Sequence, residues 1–245
     1  MKNIFIILCV MSISIACSQQ EKEDPSTKEN NDYLKKGGWK LVWEDDFNRD
    51  NIFATGIWSK IGACPKSDAD WCKTMSQDPS LFEIKNGNLI LLGKPSANPA
   101  KDKSKYITGG VSTKDKKYFE KGRLEIRCKL EATQGAWPAI WMVPNATWPT
   151  GGEIDIVERL NYEPFVHHTV HSTYTQAGNK TPKSTATAPI NPDDYNIYAV
   201  ELDTDELRFY VNGKQTFSYA RVPEKESEGQ FPFARPYMLR IDMQL

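Results

Sequence analysis

The segment Gly152-Glu153-Ile154-Asp155-Ile156-Val157-Glu158 combines three acidic residues with apolar, strongly β-forming side chains directly after a turn. Because side chains alternate across a β-strand, Glu153 and Asp155 share one face, and a regular continuation would turn Glu158 to the other. A β-bulge at Ile156-Val157 would add one residue to the strand and return Glu158 to the first face. The segment therefore predicts a bulged strand with three carboxylates on one face and apolar side chains on its core-facing side.

Three carboxylates on one sheet face repel each other, so the arrangement needs a partner or a use. Retaining glycosidases place a nucleophile and an acid/base carboxyl roughly 5–5.5 Å apart, close to the spacing of same-face neighbours on a bulged strand. A third acid can hydrogen-bond the nucleophile and help to separate the protonation states that the two roles require. Two other interpretations stay open for the segment alone: a solvated face of an edge strand, and oxygen ligands for Ca²⁺.

Tryptophans cluster just before this segment. Trp137, Trp141 and Trp148 are three of the seven tryptophans in the chain and lie within a dozen residues of one another. An indole can stack on the apolar face of a sugar ring while its N–H bonds a hydroxyl, whereas the alternative for each residue is a core aromatic. Trp137 and Trp148 stand beside prolines and small or polar residues, which favours a cleft, and Trp141 lies in an apolar run.

The motifs around the acids form a specific pattern. They are Trp-Pro-Ala-Ile-Trp-Met at 137–142, Trp-Pro-Thr-Gly-Gly-Glu-Ile-Asp-Ile-Val-Glu at 148–158 and Thr-Val-His at 169–171, with supporting matches at 41–47, 121–127, 198–202 and 208–213. This pattern resembles glycoside hydrolase family 16, in its laminarinase-like branch with a bulged Glu-x-Asp-x-x-Glu motif.

The resemblance implies a role for each acid and a set of cleft residues. It makes Glu153 the nucleophile, Asp155 its assisting acid and Glu158 the general acid/base. The residues that it implies around the scissile sugar are Trp137, Trp141, Trp148 and His171. A histidine on a strand is more often a structural residue, which is our interpretation of His167 and His168.

The activity implied by the resemblance is that of a retaining, endo-acting β-glycoside hydrolase that cleaves β-1,3- or mixed-linkage β-glucan by double displacement. The same family contains enzymes that cut β-galactosyl linkages in mucin, keratan-like or algal galactans, and this alternative stays open. A hypothesis from another class is a non-catalytic glycan-binding lipoprotein, which would more naturally have lost one of the two glutamates.

The pattern beyond residue 38 is that of strands separated by Gly, Pro and Asn. Asn86-Gly87 and Asn212-Gly213 each stand between apolar runs, which is a strong hairpin signal. No stretch holds a helical apolar period long enough for a major helix. We therefore expect one all-β domain at 39–245, an antiparallel two-sheet β-sandwich of jelly-roll, concanavalin-like type with the acids in a concave cleft. The resemblance implies that this domain lacks its last strand.

The N-terminus has the features of a targeting segment. A short basic start precedes an apolar stretch from Ile4 to Ile15, which is too short for a membrane span, and Ala16-Cys17 ends it. Residues 1–17 therefore resemble a lipoprotein signal peptide with Cys17 as the acylated residue, and the polar residues 18–38 a flexible tether. We expect an outer-membrane or cell-surface lipoprotein, and otherwise a periplasmic or secreted protein.

Three cysteines remain in the expected domain. Cys64 and Cys72 bracket a polar loop that a disulfide would close, and export makes such a bridge feasible. Cys128 falls on the apolar face of its predicted strand and is interpreted as a buried thiol. No second Cys/His pair has zinc-ligand spacing, so no metal site is predicted.

Composition fits an enzyme that acts on glycans. At 245 residues, 39% hydrophobic content and a net charge of −1, the chain can bury a core and shows no charge excess for nucleic acid. The lysine-rich stretch 101–129 suits a solvated hairpin, with an acidic glycan substrate as the alternative. We expect a monomer that contacts a membrane only through a lipid anchor. No cofactor is expected to be required, and structural calcium stays open, with Glu44, Asp45 and Asp46 as acidic candidates.

Overall fold

The computed structural model describes residues 5–10, 14–16, 38–64, 69–98, 100, 102, 104–131 and 133–245. The strands are β1 (Phe5–Val10), β2 (Ser14–Ala16), β3 (Leu41–Trp43), β4 (Ser59–Lys60), β5 (Phe82–Lys85), β6 (Asn88–Pro95), β7 (Tyr106–Thr108), β8 (Gly110–Ser112), β9 (Gly122–Cys128), β10 (Trp137–Val143), β11 (Glu153–Glu158), β12 (Phe165–His171), β13 (Thr185–Pro189), β14 (Asn196–Leu202), β15 (Glu206–Val211), β16 (Lys214–Ala220) and β17 (Met238–Gln244). The helices are short: α1 (Thr173–Gln176) and 3₁₀ helices at Ile52–Thr55, Asp70–Cys72, Pro79–Leu81 and Pro223–Glu228.

The described strands form three sheets, and all pairings between named strands are antiparallel. A seven-stranded sheet has the order β13-β12-β11-β10-β17-β8-β4, and a six-stranded sheet has the order β16-β15-β14-β9-β2-β3. A smaller sheet has the order β1-β6-β5, with β7 also paired to β6. The all-β, antiparallel sandwich is confirmed, and none of the helices in the described residues has the length and apolar character of a membrane span.

Both predicted hairpins are present. Asn86 and Gly87 have φ angles of 53° and 69° and connect β5 to β6, while Asn212 and Gly213 have φ angles of 49° and 78° and connect β15 to β16. Positive φ at both central residues matches the right-handed twist of the flanking strands, and Asn and Gly tolerate it best. These two turns therefore set the register of their strand pairs.

The core lies between the seven-stranded and six-stranded sheets. Burial alternates along β12, as expected when one face of a strand packs inward, whereas consecutive residues are buried along β10 and β11. The cluster draws on both sheets and includes Ile140, Ile154, Val166, Val170, Ile241, Leu124, Ile126, Val200, Phe209 and Tyr219. Cys128 is fully buried among them, which confirms its interpretation as a core thiol.

Two strands come from the apolar N-terminal stretch. The backbone of β1 pairs with β6, and β2 pairs with both β3 and β9. The sequence predicts a leader outside the domain, whereas here its backbone satisfies the open hydrogen-bonding edges of β6 and β9, which readily accept an added strand. Cys17 and most of the tether lie outside the described residues, so the lipidation site stays a prediction.

Candidate active site

The predicted β-bulge is present in β11. Asp155 pairs with Trp141 on one side and Thr169 on the other, but the next pairs are Val157 with Ile140 and Glu158 with His167. One extra residue therefore stands in β11, and the Ile156 and Val157 side chains are fully buried. Because of this bulge, Glu158 lies on the same face as Glu153 and Asp155, which we call the acid face.

A buried histidine stabilises the bulge from the core side. His168 is fully buried, and its Nδ1 lies 2.6 Å from the carbonyl oxygen of Ile156. Its Nε2 lies 2.9 Å from Thr216 Oγ1, on a strand of the opposite sheet. Burial lowers the pKa of His168 to about 4, so at neutral pH the uncharged ring donates to the bulge carbonyl through Nδ1. His168 thus has the structural role that the sequence suggests.

Gly152 positions the start of the acidic strand. Its φ is +84°, a conformation that residues with a side chain rarely adopt. A Cβ here would lie 2.7 Å from Tyr237 Oη, 2.8 Å from Pro232 Cγ and 2.9 Å from Phe233 Cε1. Tyr237 Oη also donates a hydrogen bond of 2.7 Å to the Gly151 carbonyl. The tight turn before Glu153 is therefore fixed by packing against the core.

Glu153 and Asp155 share a buried, proton-rich environment. Burial raises the pKa of Glu153 from its ordinary 4.5 to about 8, and the neighbouring charge of Asp155 adds to the rise. Burial, followed by the charge of Glu158, raises the pKa of Asp155 well above its ordinary value, against a hydrogen bond with Glu153. The pair therefore holds a proton at neutral pH. When Asp155 carries that proton, Glu153 is ionised and accepts a hydrogen bond from Asp155.

Glu158 lies in a different environment on the same face. Burial raises its pKa, while the hydrogen bond from Trp137 opposes the rise most strongly. The Trp137 Nε1 donates to Glu158 Oε1 at 2.8 Å. His167 stands opposite Glu158 in the ladder and its Nε2 lies 2.8 Å from Glu163 Oε2. His167 thus borders the site, closer to the chemistry than the structural role suggested by the sequence.

His171 lies next to the other two acids. Its Nε2 lies 3.1 Å from Asp155 Oδ2 and 4.0 Å from Glu153 Oε1, and its Nδ1 lies 2.9 Å from Gln176 Nε2. Within the described residues, Glu153, Asp155 and His171 also offer ligand atoms within 4.8 Å of one another, a spacing that a metal ion could use. Two of these groups, Glu153 and Asp155, are also needed by the predicted reaction, and the absence of a required metal stays a prediction.

A fourth acid on the acid face went unrecognised in the sequence. Asp242 is fully buried on β17, accepts a hydrogen bond of 2.9 Å from Trp141 Nε1 and another of 2.7 Å from Gln244 Nε2. Burial raises its pKa to about 6, against these two hydrogen bonds. Asp242 therefore holds the Trp141 ring in place. The polar alternation of Arg240, Asp242 and Gln244 was the signal that could have identified this face.

The four predicted cleft residues are brought together with the acids. Trp137 and Trp141 lie on β10 beside β11, and Trp141 is only 4% exposed. Trp148 is 53% exposed, and its ring centroid lies 6.2 Å from that of His171. The sequence did not reveal Trp71, whose ring meets Trp141 edge-on at 5.0 Å between centroids.

Cys64 and Cys72 are free thiols in the structure, so the expected bridge is not formed. They are nevertheless adjacent, since the Cys64 thiol is hydrogen-bonded with Cys72, and burial followed by this contact raises the pKa of Cys64 to about 12. A protonated thiol is a poor nucleophile, which is consistent with two reduced cysteines packed side by side.

Of the three acidic residues considered as calcium ligands at the start of the domain, Asp45 has other partners in the structure. Asp45 is buried and accepts two hydrogen bonds from Arg49, at 2.7 and 2.6 Å, and one of 2.8 Å from Trp58 Nε1. Its oxygens are therefore used by a structural ion pair and are not free to bind calcium. Asp46 accepts hydrogen bonds from Asn48.

Ionisation of Glu153 should make stability depend on pH. Because folding raises its pKa from 4.5 to about 8, the stability linked to its bound proton is complete below pH 4.5 and is lost as pH rises through 8. We expect Glu153→Gln to raise the free energy of unfolding by about 1–3 kcal/mol at about pH 9 and by less than about 0.5 kcal/mol at about pH 4.

Urea unfolding at both pH values measures this difference. The exposed Glu224, on the 3₁₀ helix at Pro223–Glu228, provides the control, and Glu224→Gln should have the same small effect at both. A Glu153→Gln variant that is no more stable than wild type at the higher pH would contradict the raised pKa.

Exposed Trp148 should contribute to substrate binding and little to stability. Trp148→Ala should lower kcat/KM by about 10- to 100-fold, because a stacked indole holds a sugar ring in the ground and transition states. The melting temperature should stay almost unchanged, since half of the ring is exposed. The exposed aromatic Tyr106 on β7 supplies a control, since Tyr106→Ala should alter neither quantity. A large loss of stability would place Trp148 in the core.

Together the sandwich, the bulged strand and the paired carboxyl groups define a glycosidase-like protein. The profile of glycosyl hydrolases family 16 matches residues 73–243. The chain belongs to this family, whose members hydrolyse O-glycosyl bonds.

The similar proteins include both an endo-galactosidase and a beta-glucanase. The chain is 32% identical to the keratan-sulfate endo-1,4-beta-galactosidase of Sphingobacterium multivorum over 83% of its own length and 48% of that enzyme, so it spans about half of that relative. It is 28% identical to a beta-glucanase of Rhodothermus marinus, over 96% of this chain and 82% of the relative. The laminarinase structure from Flavobacterium sp. UMI-01 superposes with a TM-score of 0.69 at 26% identity, covering 84% of this chain and 88% of that one.

Proposed function

We propose that this protein is a retaining, endo-acting β-glycoside hydrolase. Glu153 attacks the anomeric carbon while Glu158 protonates the departing glycosidic oxygen, which forms a covalent glycosyl-enzyme. Glu158 then removes a proton from water, the water oxygen bonds to the anomeric carbon, and Glu153 leaves as a carboxylate. Asp155 accepts and returns the proton that determines whether Glu153 is ionised, and forms no bond to the sugar.

The observation that carries the proposal is the bulge in β11. Without the extra residue at Ile156, Glu158 would face the core, and no pair of glutamates would share the acid face. The environments of the pair also differ as the two roles require: Glu153 shares a proton with Asp155, whereas Glu158 accepts a hydrogen bond from Trp137.

An NMR time course of polysaccharide hydrolysis tests this mechanism. The first product should have the β-anomeric configuration, and intermediate-sized oligosaccharides should precede monosaccharides because cleavage is internal. An α-anomer as the first product would exclude the double displacement. Binding of polymer without any release of reducing ends, by a folded sample, would support the non-catalytic glycan-binding alternative.

The substrate belongs to one of two classes. β-1,3- or mixed-linkage β-glucan is supported by the similarity to beta-glucanase and laminarinase. A β-galactosidic polymer is supported by the similarity to the keratan-sulfate enzyme. Reducing-end release from laminarin, barley β-glucan, agarose, keratan sulfate and mucin glycans distinguishes the two, since the true substrate class should be cleaved at a rate at least about tenfold above the other.

We further propose that the protein is an exported monomer that needs no cofactor and is anchored through acylated Cys17. The sequence of residues 1–17 supports this export, as does a glycan polymer as substrate. Metabolic labelling with a palmitate analogue should mark the wild-type protein in the membrane fraction. Cys17→Ala should abolish the label, and an unlabelled wild-type protein would contradict the anchor.

A further inference from the structure

The guanidinium of Arg240 contacts two indole rings that meet each other edge-on. Its Cζ is 4.8 Å from the Trp71 ring centroid and 4.6 Å from the Trp141 ring centroid. Guanidinium groups stack on aromatic faces through their planar, delocalised charge, and such stacking leaves the N–H groups at the edge unused. The two tryptophans therefore fix the plane of Arg240 without satisfying its donors.

Arg240 forms no ion pair with a described carboxylate, in contrast to three other arginines of the chain. Arg49, Arg123 and Arg208 each form ion pairs with carboxylates at 3.0 Å or less. The Arg240 side chain forms no hydrogen bond or ion pair with any described residue, and burial lowers its pKa, which the nearby charges of Asp242 and Glu153 oppose. A largely buried guanidinium with unused donors is costly unless a ligand satisfies it.

Arg240 lies on the acid face, next to the reaction centre. In the β-ladders, Arg240 pairs with Trp141, and Trp141 pairs with Asp155. Its positive charge lowers the pKa of Glu153. A sugar bound against Trp141 would therefore be within reach of both the guanidinium and the predicted nucleophile.

We propose that Arg240 binds an anionic substituent, a sulfate ester or a carboxylate, on a sugar close to the scissile bond. The inference rests on the proposed hydrolase function and narrows its substrate to an anionic β-linked glycan. The planar fork of guanidinium donors matches both oxyanions in a bidentate geometry, and each would replace the missing carboxylate partner.

The neighbouring acids do not oppose such a ligand as strongly as their number suggests. Burial raises the pKa of Glu153 to about 8, so this acid is largely protonated and uncharged at neutral pH, whereas Asp242, with a pKa raised to about 6, is mostly ionised. A neutral glucan would need only uncharged donors, and a buried cation would then contribute little for its cost. The Arg240 guanidinium, which has no ion pair with a described residue, thus favours an anionic substrate.

Two matched substrate pairs test the proposal: keratan sulfate with its chemically desulfated form, and carboxymethylated β-1,3-glucan with its parent glucan. For at least one pair, wild-type kcat/KM should be about tenfold or more higher on the anionic member, mainly through KM. Arg240→Met should reduce this ratio to within about twofold, and Arg240→Lys should keep part of it. The pair that responds identifies the substituent as sulfate or carboxylate.

Lys117, whose ammonium lies over Trp43 and Phe119, supplies the matched control, and Lys117→Met should leave the ratio unchanged. The inference is overturned if wild type prefers the neutral members, or if Arg240→Met lowers kcat/KM equally within each pair. The latter result would mean that Arg240 only balances the charge of the acids.

A binding measurement separates this inference from the proposed function. Affinity electrophoresis of Glu153→Gln, with and without Arg240→Met, reports polymer binding without any turnover. Loss of retardation by the anionic member alone would support the role of Arg240 even if no polymer is hydrolysed. Hydrolysis of both members of each pair at equal rates would overturn the inference and leave the hydrolase function intact. If Arg240→Met does not fold, two other measurements test the proposal. They are the ratio of kcat/KM on anionic and neutral polymer in Arg240→Lys, which should be lower than in wild type, and the binding of anionic polymer by wild type, which should weaken as salt is added.

Discussion

Replacement of Glu153 by alanine should lower turnover by about three to five orders of magnitude, because no other group can form the glycosyl-enzyme. The side chain stands on a strand whose opposite face is packed in the core, so its removal leaves Ile154 and Ile156 in place. Far-UV circular dichroism should therefore match that of the wild type, and the melting temperature should be no lower. Reducing-end assays on the preferred polymer measure the loss.

Added azide should identify the missing nucleophile. In the Glu153→Ala variant, azide can enter the space left by the carboxylate, bond to the anomeric carbon and displace the leaving group, which Glu158 protonates. The product from a β-glycoside is then an α-glycosyl azide, which NMR distinguishes from the β form. Rescue that yields only the β-azide would contradict the assignment of Glu153.

Asp155→Asn provides the comparison within the same cluster. Because Asp155 forms no covalent bond in the proposed mechanism, this variant should lose less activity than Glu153→Ala and should show a shifted pH profile. A mechanism-based fluoro-sugar should label Glu153 and not Asp155. Labelling of Asp155 would exchange the two roles.

Local sequence patterns were sufficient to predict the catalytic strand. The bulge follows from the spacing of Glu153, Asp155 and Glu158, since only an extra residue brings all three to one face. The hairpins at Asn86-Gly87 and Asn212-Gly213 follow from residues that tolerate positive φ. In each case the physical cause lies within a few residues of the signal.

The rest of the acid face depends on contacts that no local pattern reports. Trp71 and Arg240 are far apart in the sequence and meet because the 3₁₀ helix at Asp70–Cys72 brings Trp71 against Trp141 on β10, beside β17. Asp242 faces the acids because β17 pairs with β10, a pairing between segments about a hundred residues apart that no local pattern reports. The ion-pair partner of Asp45 is nearby in the sequence, since Arg49 stands four residues later. Even so, the contact depends on the conformation of the backbone between the two residues.

Replacement of Glu158 by alanine should produce a loss that depends on the leaving group. A natural polymer leaves as a poorly acidic alcohol, so without a proton donor its cleavage should slow by about three orders of magnitude or more. A dinitrophenyl β-glycoside needs no protonation, and formation of its glycosyl-enzyme should slow by less than about tenfold. The comparison of kcat/KM on the two substrates measures the contribution of the acid.

Azide should also test the role of Glu158, and the glycosyl azide formed should have the opposite anomeric configuration to that from Glu153→Ala. In Glu158→Ala the glycosyl-enzyme on Glu153 accumulates because no base activates water, and azide attacks it to give a β-glycosyl azide with net retention. Trp137→Phe is the matched control, because it removes the N–H donor to Glu158 and keeps the carboxyl group. Since that hydrogen bond lowers the pKa of Glu158, Trp137→Phe should shift the alkaline limb of kcat/KM to higher pH. An equal loss on both substrates in Glu158→Ala, with no azide product, would show that Glu158 is not the acid/base.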